Sequence, residues 1–534
     1  SAASDVYKRQ VQRILGALLM AFSFFMLPPL CVSYLYGSAV TADPWSLQFL
    51  MHGDGAARAF IIAFAAIFLT GVILWYPARS GGRHGKQDLK IRDGFLVVSA
   101  FWLGLGTAGA VPLMVAESPH MPLTDAVFES ISGLTTTGAT VLTGLDDLPQ
   151  SILFYRQQLQ WLGGMGIIVL AVAILPMLGI GGMQLYRAET PGPVKDSKLT
   201  PRIAKTAKAL WIIYLIITIA CALSYWLAGM GVFDAISHSF STVAIGGFST
   251  RDASMGHFEQ PAIHYVAIVF MLIAGVNFSL HFIAWERVRI SLPLEIRGWR
   301  LRVRTRRRPL VPSAVLANYR TDSEFKAYLR ILFVLAVITI GYLHFVGAFS
   351  DWSESFRKGL FHVVSMGTTT GFTTGSPSAW PGALPVMLIF ASFIGGCAGS
   401  TGGGMKVIRW VLIFKQGYRE LMRLLHPNAE IPVKLSGRAV PSRVVEAVWG
   451  FFAAYVVVFA IMLIALMFTG LDQVTAFSAV AASLNNLGPG LGEVANNYAS
   501  IGPVAKWVCV LAMVMGRLEI FTLLVLITGE FWRK

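Results

Sequence analysis

Four stretches of this chain end in a glycine-centred turn flanked by hydroxyl, amide or small side chains. They are Thr135-Thr136-Thr137-Gly138, Ala244-Ile245-Gly246-Gly247, Thr368-Thr369-Thr370-Gly371 and Asn485-Asn486-Leu487-Gly488. Their last glycines lie 109, 124 and 117 residues apart. None of these turns carries a formal charge, so the chemistry they offer is that of backbone carbonyl oxygens. Glycine reaches positive φ at no steric cost and so reorients the carbonyls beside it. Rings of such carbonyls can replace the water shell of a cation. A cage of this kind suits a large, weakly hydrated monovalent ion better than Mg²⁺, which dehydrates reluctantly. Near-constant spacing in an apolar chain predicts four strips meeting around one axis and lining an ion pathway.

The elements that must hold these strips can be read backwards from each glycine. Six residues before it stand Ser132, Ser241, Ser365 and Ala482; thirteen before it stand Asp125, Asp234, Lys358 and Thr475. The run between is short and mostly apolar, enough for two or three helical turns. Asp125 and Asp234 suit a helix N-terminus, as caps and as charges opposing the positive dipole end. The negative C-terminal ends then point toward the strips, favouring a cation and disfavouring an anion. Glu129, His238 and His362 fall on these short helices and read first as internally satisfied polar groups, with tuning of the entrance as the alternative.

The whole chain of 534 residues is 55% hydrophobic and 13% charged, with a mean hydropathy of +0.63. Soluble domains carry roughly 25% charged residues. Ten apolar stretches of about the ~20 residues needed to cross a bilayer lie at about 14–36, 58–76, 94–116, 152–180, 209–230, 262–285, 329–349, 383–414, 446–468 and 504–530. In lipid these must be helices. The residues before them, through Gln10, are polar and show no structural pattern. The run after Arg13 is long for a signal peptide and lacks a small-residue cleavage pattern, so it reads as the first span.

The net charge of +15 sits mainly between spans. With the N-terminus in the cytoplasm, most Lys and Arg fall on inner segments, including the dense Arg297–Arg308 run. Outer segments hold only Arg58, Arg156, Arg251, Arg357, Lys358 and Lys506. This asymmetry is a positive-inside signal rather than a groove for phosphates, so nucleic acid is not an expected partner. It places both termini in the cytoplasm and every glycine turn on the outer side. The basic run reads as a lipid-facing or solvated loop, or as a docking site for a cytosolic partner. Cys31, Cys221, Cys397 and Cys509 are too scattered for a metal or redox motif and read as packing residues.

Two further features interrupt the spans. The 383–414 stretch contains Gly395-Gly396-Cys397-Ala398-Gly399-Ser400-Thr401-Gly402-Gly403-Gly404. Glycine costs ~1 kcal/mol against alanine in a helix, so this stretch should break. By position it lies below the third strip, as a gating loop or a close-packing device. A phosphate loop would need a Gly-Lys-Ser/Thr ending, whereas Gly404 is followed by Met405 and Lys406. The second feature is Arg517, inside the last span. An intramembrane arginine costs at least ~2.5 kcal/mol and normally faces a cavity or partner. Glu519, two residues on, points elsewhere on a helix and is not expected to be its sole partner.

Together these motifs, with Ile245–Thr250, Thr368–Phe372 and Asn485–Gly490 as the specific runs, resemble the Trk/Ktr/HKT potassium transporters over roughly residues 92–532. The extra leading pair of spans is more similar to the TrkH-like branch than to the KtrB branch. The resemblance implies an all-α polytopic membrane protein: two leading spans, then four span–pore-helix–span repeats with pseudo-fourfold symmetry. The expected divisions are 1–91 for the leading pair, then 92–186, 187–308, 309–425 and 426–534 for the repeats. It implies a potassium selectivity filter of Thr136, Thr137, Gly138, Ile245, Gly246, Gly247, Thr369, Thr370, Gly371, Asn486, Leu487 and Gly488, with K⁺ as the transported ion. In relatives that pass sodium the first glycine is often serine, so Gly138 favours potassium. It also implies a gate of Gly395, Gly396, Gly399, Ser400, Thr401, Gly402, Gly403, Gly404 and Arg517, the arginine contacting the loop to help close the pore. Finally, it implies a homodimer in the bacterial inner membrane, a cytosolic TrkA-type ring as regulator, and no cofactor in this chain, nucleotide belonging to the partner.

The expected function is passive, gated potassium uptake. Within transport the rival is a sodium-permeable or ion-coupled version. A membrane-embedded enzyme would need a catalytic cluster, and the chain has no His-Glu-x-x-His, no Gly-x-Ser-x-Gly and no intramembrane aspartate pair. A non-conducting scaffold would tolerate a larger residue at Gly371.

Overall fold

The computed structural model describes residues 2–37, 53–78, 91–169, 199–291, 294–297, 300–303 and 312–532. The end of the 152–180 stretch, Arg533, Lys534 and most of the Arg297–Arg308 run lie outside the described residues; of that run only the hairpin strands Leu294–Arg297 and Arg300–Val303 are described.

Among the described residues six helices are long and apolar enough to cross a membrane: Val11–Gly37, Ala57–Ala78, Gly94–Val115, Ala207–Leu227, Ser323–Phe345 and Ser442–Phe468. No more than 39% of any of their most apolar windows is buried. Phe345 and Phe468, each 88% exposed, typify an outward surface that only lipid or another apolar partner could cover. The polar N-terminus is helical rather than unstructured, because Ala2–Ser23 runs as one helix into the first span.

Around the centre the usual pattern is inverted. Four short helices, Leu123–Leu134, Val232–Ala244, Trp352–Gly367 and Gln473–Leu484, carry buried Ser and Thr inward. We number the units one to four after them. Asp125 and Asp234 lie in the first turns as expected but cap nothing: Pro122 and Gly231 occupy the N-cap positions. Their carboxylates are taken by longer-range partners, Asp125 by Lys506 at 2.8 Å and Asp234 by Thr250 and Arg251. The residue that does cap is Asp472, accepting from Val474 N and Thr475 N at the start of the fourth short helix.

The helix after each strip behaves differently from an uninterrupted span in three units. In unit two, Pro261–Ala274 turns by 92° into the helix starting at Phe278. In unit three, Leu384–Ile394 ends at Gly395 and Val407–Leu425 resumes after Lys406, so the predicted break is present. In unit four, Pro503–Arg517 turns by 113° into Phe521–Ile527. The continuous spans expected at 262–285 and 504–530 are therefore bent pairs, and Arg517 sits at a break rather than within a helix. Glu519 and Ile520 take positive φ there, which ends the helical path. Only unit one keeps its helix, Gln150–Val169, unbroken through its described residues.

Candidate functional site

Each short helix hands over to its strip by the same backbone device. The amide of the residue before the final glycine donates back to the residue six before that glycine: Thr137 to Ser132 O (2.8 Å), Gly246 to Ser241 O (2.8 Å), Thr370 to Ser365 O (2.7 Å) and Leu487 to Ala482 O (2.8 Å). This bond satisfies a carbonyl at the helix end that would otherwise be orphaned.

The strips then alternate in hand. Thr136, Ile245, Thr369 and Asn486 have φ of 53°, 54°, 67° and 53°, and Gly138, Gly247, Gly371 and Gly488 have φ of 82°, 77°, 82° and 98°. Four non-glycine residues, three of them β-branched (Thr136, Ile245 and Thr369), held in the left-handed region are a strained arrangement that the surrounding packing must impose. The reward is that successive carbonyls do not pair within the strip.

The four strips form a closed ring. A Cβ placed on Gly138 would come within 3.0 Å of Gly246 O; on Gly247, of Thr370 O; on Gly371, of Leu487 O; and on Gly488, of Thr137 O. Unit one thus faces unit two, two faces three, three faces four, and four returns to one. All four glycines also line one depression, shared with Thr140, Ser249 and Thr373. The twelve residues predicted for the strips are therefore brought together about one centre, with Thr136, Thr137, Thr369, Thr370, Asn486 and Leu487 buried. Chemically this is a cage of neutral oxygens, able to hold a dehydrated monovalent cation and lacking the fixed charge a divalent ion requires.

Behind the ring, side chains lock the strips. Thr135 Oγ1 and Thr137 Oγ1 bond at 2.8 Å, and Thr368 Oγ1 and Thr370 Oγ1 at 2.7 Å. Asn486 Nδ2 donates to Thr137 Oγ1 across the four-to-one boundary at 2.9 Å. Gln160 donates to Gly246 O at 2.7 Å and accepts from Phe248 N. The sequence reading missed Gln160, although a glutamine-rich run (Gln157, Gln158, Gln160) on an otherwise apolar helix signals that polar work is done there.

The ten-residue glycine-rich stretch lies under the helix-proximal ends of the strips. Gly403 N donates to Thr369 Oγ1 at 2.6 Å, Gly404 N to Asn485 O at 3.0 Å, and Thr401 Oγ1 to Val243 O at 3.0 Å. Arg517 completes the set: its guanidinium donates to Thr401 O at 2.8 Å, to Gly402 O at 3.4 Å and to Thr136 Oγ1. Every unit is therefore tied to this loop, unit one through the arginine. Close approach explains the glycines here, because a Cβ on Gly403 would collide with Asn485 O. Gly395, Gly399 and Gly404 have positive φ, while Gly396 and Ser400 pack against each other.

The other breaks meet the same loop. Cys397 N donates to Gly275 O at 2.9 Å and Phe278 N to Gly399 O at 3.1 Å, joining the bend of unit two. Glu324 accepts from Ala398 N within the loop and from Ile408 N beyond it. Glu519 is indeed not the partner of Arg517; it pairs with Arg409 at 2.6 Å, and that guanidinium lies 4.0 Å over the Phe451 ring. Lys406, with φ 77°, donates to Gly402 O. Arg409, Lys406 and Glu324 escaped the sequence reading because their roles depend on breaks that bring distant spans together.

Glu129, His238 and His362 are satisfied within the protein, as first read. Glu129 pairs with Arg156, His238 bonds Asp234 O and Ser249 Oγ, and His362 contacts Lys358 O and Thr374 N.

Known proteins share this fold. Residues 56–534 match the family described as TrkH, cation transport protein. The chain is 53% identical to the Trk system potassium uptake protein TrkH of Vibrio parahaemolyticus and 52% identical to that of Escherichia coli, in each case covering 98% of this chain and 99% of the relative. It is 38% identical to the Escherichia coli Trk system potassium uptake protein TrkG over 98% of its length. The crystal structure of the potassium transporter TrkH from Vibrio parahaemolyticus superposes with a TM-score of 0.83 at 50% identity, covering 98% of this chain and 99% of that one.

Proposed function

The chain belongs to the TrkH family of cation transport proteins, transporters rather than enzymes, and from that premise we propose that it is the potassium-conducting subunit of a bacterial uptake system. The observation that carries the proposal is the closed ring of four glycine-ended strips, each glycine seated against a carbonyl of the next unit. In this reading the residues from Thr136 to Gly138, Ile245 to Gly247, Thr369 to Gly371 and Asn486 to Gly488 form the filter. Their carbonyls replace water around K⁺, and the C-terminal ends of four short helices stabilise the positive charge.

The stretch from Gly395 to Gly404 and Arg517 form the gate, held shut in this conformation. An arginine bonded to the plug puts a positive charge on the cation's path, and opening requires both to withdraw. Potassium moves down its electrochemical gradient once they do. The positive-inside charge distribution supports a filter mouth on the outside and both termini in the cytoplasm of an inner-membrane protein. A homodimer and a cytosolic TrkA-type nucleotide-binding ring complete the assembly, with nucleotide control residing in the ring. The repeats divide at 92–186, 187–308, 309–425 and 426–534 behind a leading segment 1–91.

Flux into liposomes carrying the purified protein tests the proposal. Rubidium and potassium should enter and sodium should lag well behind, with flux rising when the cytosolic partner is added. Equal rates for sodium and potassium would defeat the selectivity assignment.

A further inference from the structure

Glu129 and Arg156 form an ion pair that is almost completely enclosed, at 0% and 1% exposure. Such a pair is a weak source of stability, because desolvation offsets most of the attraction. Its placement gives it another role. Glu129 Oε1 meets Arg156 Nε at 2.7 Å. Thr140 Oγ1 donates to the same carboxylate at 2.9 Å, and Val141 N donates to Oε2 at 3.0 Å. Arg156 reaches the other way, donating through Nη1 to Ser249 O at 3.1 Å and through Nη2 to Thr140 Oγ1 at 3.1 Å, with its plane 4.2 Å from the Phe248 ring centre. Thr140 and Val141 follow Gly138 by two and three residues, and Phe248 and Ser249 follow Gly247 by one and two. The pair therefore grips the outgoing strands of two adjacent strips at once.

The other units place a residue at the same position. Nine residues before the four glycines stand Glu129, His238, His362 and Ala479. His238 Nε2 bonds Ser249 Oγ at 2.9 Å, two residues past its glycine. His362 Nε2 accepts from Thr374 N at 3.3 Å, three residues past its glycine. Unit four has no polar side chain there; its neighbour Ser478 receives Leu491 N at 2.8 Å, and Tyr498 donates to Gly488 O at 2.9 Å. The short helix thus braces the exit of its own strip in every unit, and at this position only unit one carries a buried ion pair that reaches the neighbouring strip; in unit two the charged contact lies one turn earlier and nearer the surface, where Asp234 meets Thr250 and Arg251.

We propose that Glu129 and Arg156, linked by Thr140, are positioning residues for ion selectivity, holding the outer ends of strips one and two at the separation a dehydrated potassium ion requires. This rests on the filter reading above. A cage of neutral carbonyls discriminates between ions only if its oxygens stay in place. The strained left-handed residues Thr136 and Ile245 lie directly behind these two exits, so strips one and two have the means to relax when released. Arg156 borders the depression that the four glycines line, but neither side chain belongs to a strip. Each acts through the backbone it holds.

The test compares potassium and sodium flux through proteoliposomes for the full-length protein and its Glu129→Gln, Glu129→Asp, Arg156→Met and Thr140→Val variants. Unmodified protein must first prefer potassium; if it does not, the filter reading itself fails. Given that preference, Glu129→Gln, Arg156→Met and Thr140→Val should lower the potassium-to-sodium flux ratio by about tenfold, a modest part of what roughly 1 Å of misplacement costs at a functional centre. Glu129→Asp, which keeps the charge, should recover much of it. Should the charge variants fail to fold, Thr140→Val decides alone, because it removes one hydroxyl and leaves the ion pair. Variants that fold, conduct and keep the unmodified ratio would overturn the proposal while leaving the filter reading intact.

Discussion

Replacing Arg517 with alanine is the sharpest test of the proposed gate. The guanidinium holds the glycine-rich loop through Thr401 O at 2.8 Å and Gly402 O at 3.4 Å and anchors to strip one through Thr136. Hydrogen bonds from charged donors contribute about 1.5–3 kcal/mol each, and the longer of the two loop bonds counts for less. Losing both should weaken the closed state by about 2 to 3 kcal/mol. At about 1.4 kcal/mol per factor of ten, the open population rises between about 30-fold and about 140-fold while it remains a minority. In the proposed gate the substitution also removes a positive charge from the cation's route, which acts in the same direction. Rubidium uptake by proteoliposomes without cytosolic partner reads this directly, with size-exclusion elution checking that the variant is folded. Arg517→Lys should fall between, keeping the charge but losing the forked geometry. A folded Arg517→Ala protein whose partner-free flux is unchanged or reduced would refute the assignment of Arg517 to the gate.

Three other outcomes follow from the same contacts. Gly371→Ala forces a Cβ into Leu487 O at a φ of 82°, so potassium flux should fall by at least about tenfold or lose its preference over sodium; a scaffold protein would show neither. Glu519→Gln unties Arg409 from the break of unit four; partner-free rubidium flux should rise by about tenfold, and combined with Arg517→Ala the two effects should be less than additive because both act on one closed state. Asp54 accepts from Ser33 Oγ, Ser151 N and Ser151 Oγ, pinning the leading spans to the helix that carries Arg156; Asp54→Ala should cost about 2 kcal/mol, seen as a lower thermal midpoint in detergent, with the potassium-to-sodium ratio unchanged.

The strips were legible because their requirement is local. A backbone that must expose carbonyls needs glycine at fixed positions, and Gly138, Gly247, Gly371 and Gly488 mark them at near-constant spacing. The break at Gly395–Gly404 was legible for the same reason, since helix propensity alone fails there. The bends at Gly275–Asn277 and Arg517–Ile520 were not, because each lies in an apolar run that a helix could continue. Tertiary contacts end them: Gly275 O is taken by Cys397, and Glu519 turns away to Arg409. A Gly-x-Asn and an Arg-x-Glu inside spans were the available signals. Asp125 and Asp234 misled in the opposite way. They sit where caps belong, yet Lys506 and Arg251 compete successfully for their charge. Propensity describes what a helix end offers, and long-range ion pairs decide what it receives.

Diffraction from crystals grown with rubidium, collected at the rubidium absorption edge, addresses the central claim most directly. The account predicts anomalous peaks on the axis enclosed by Gly138, Gly247, Gly371 and Gly488, absent when sodium replaces rubidium. Rubidium sites scattered over the surface with the axis empty, in crystals where the four strips keep their ring, would contradict it.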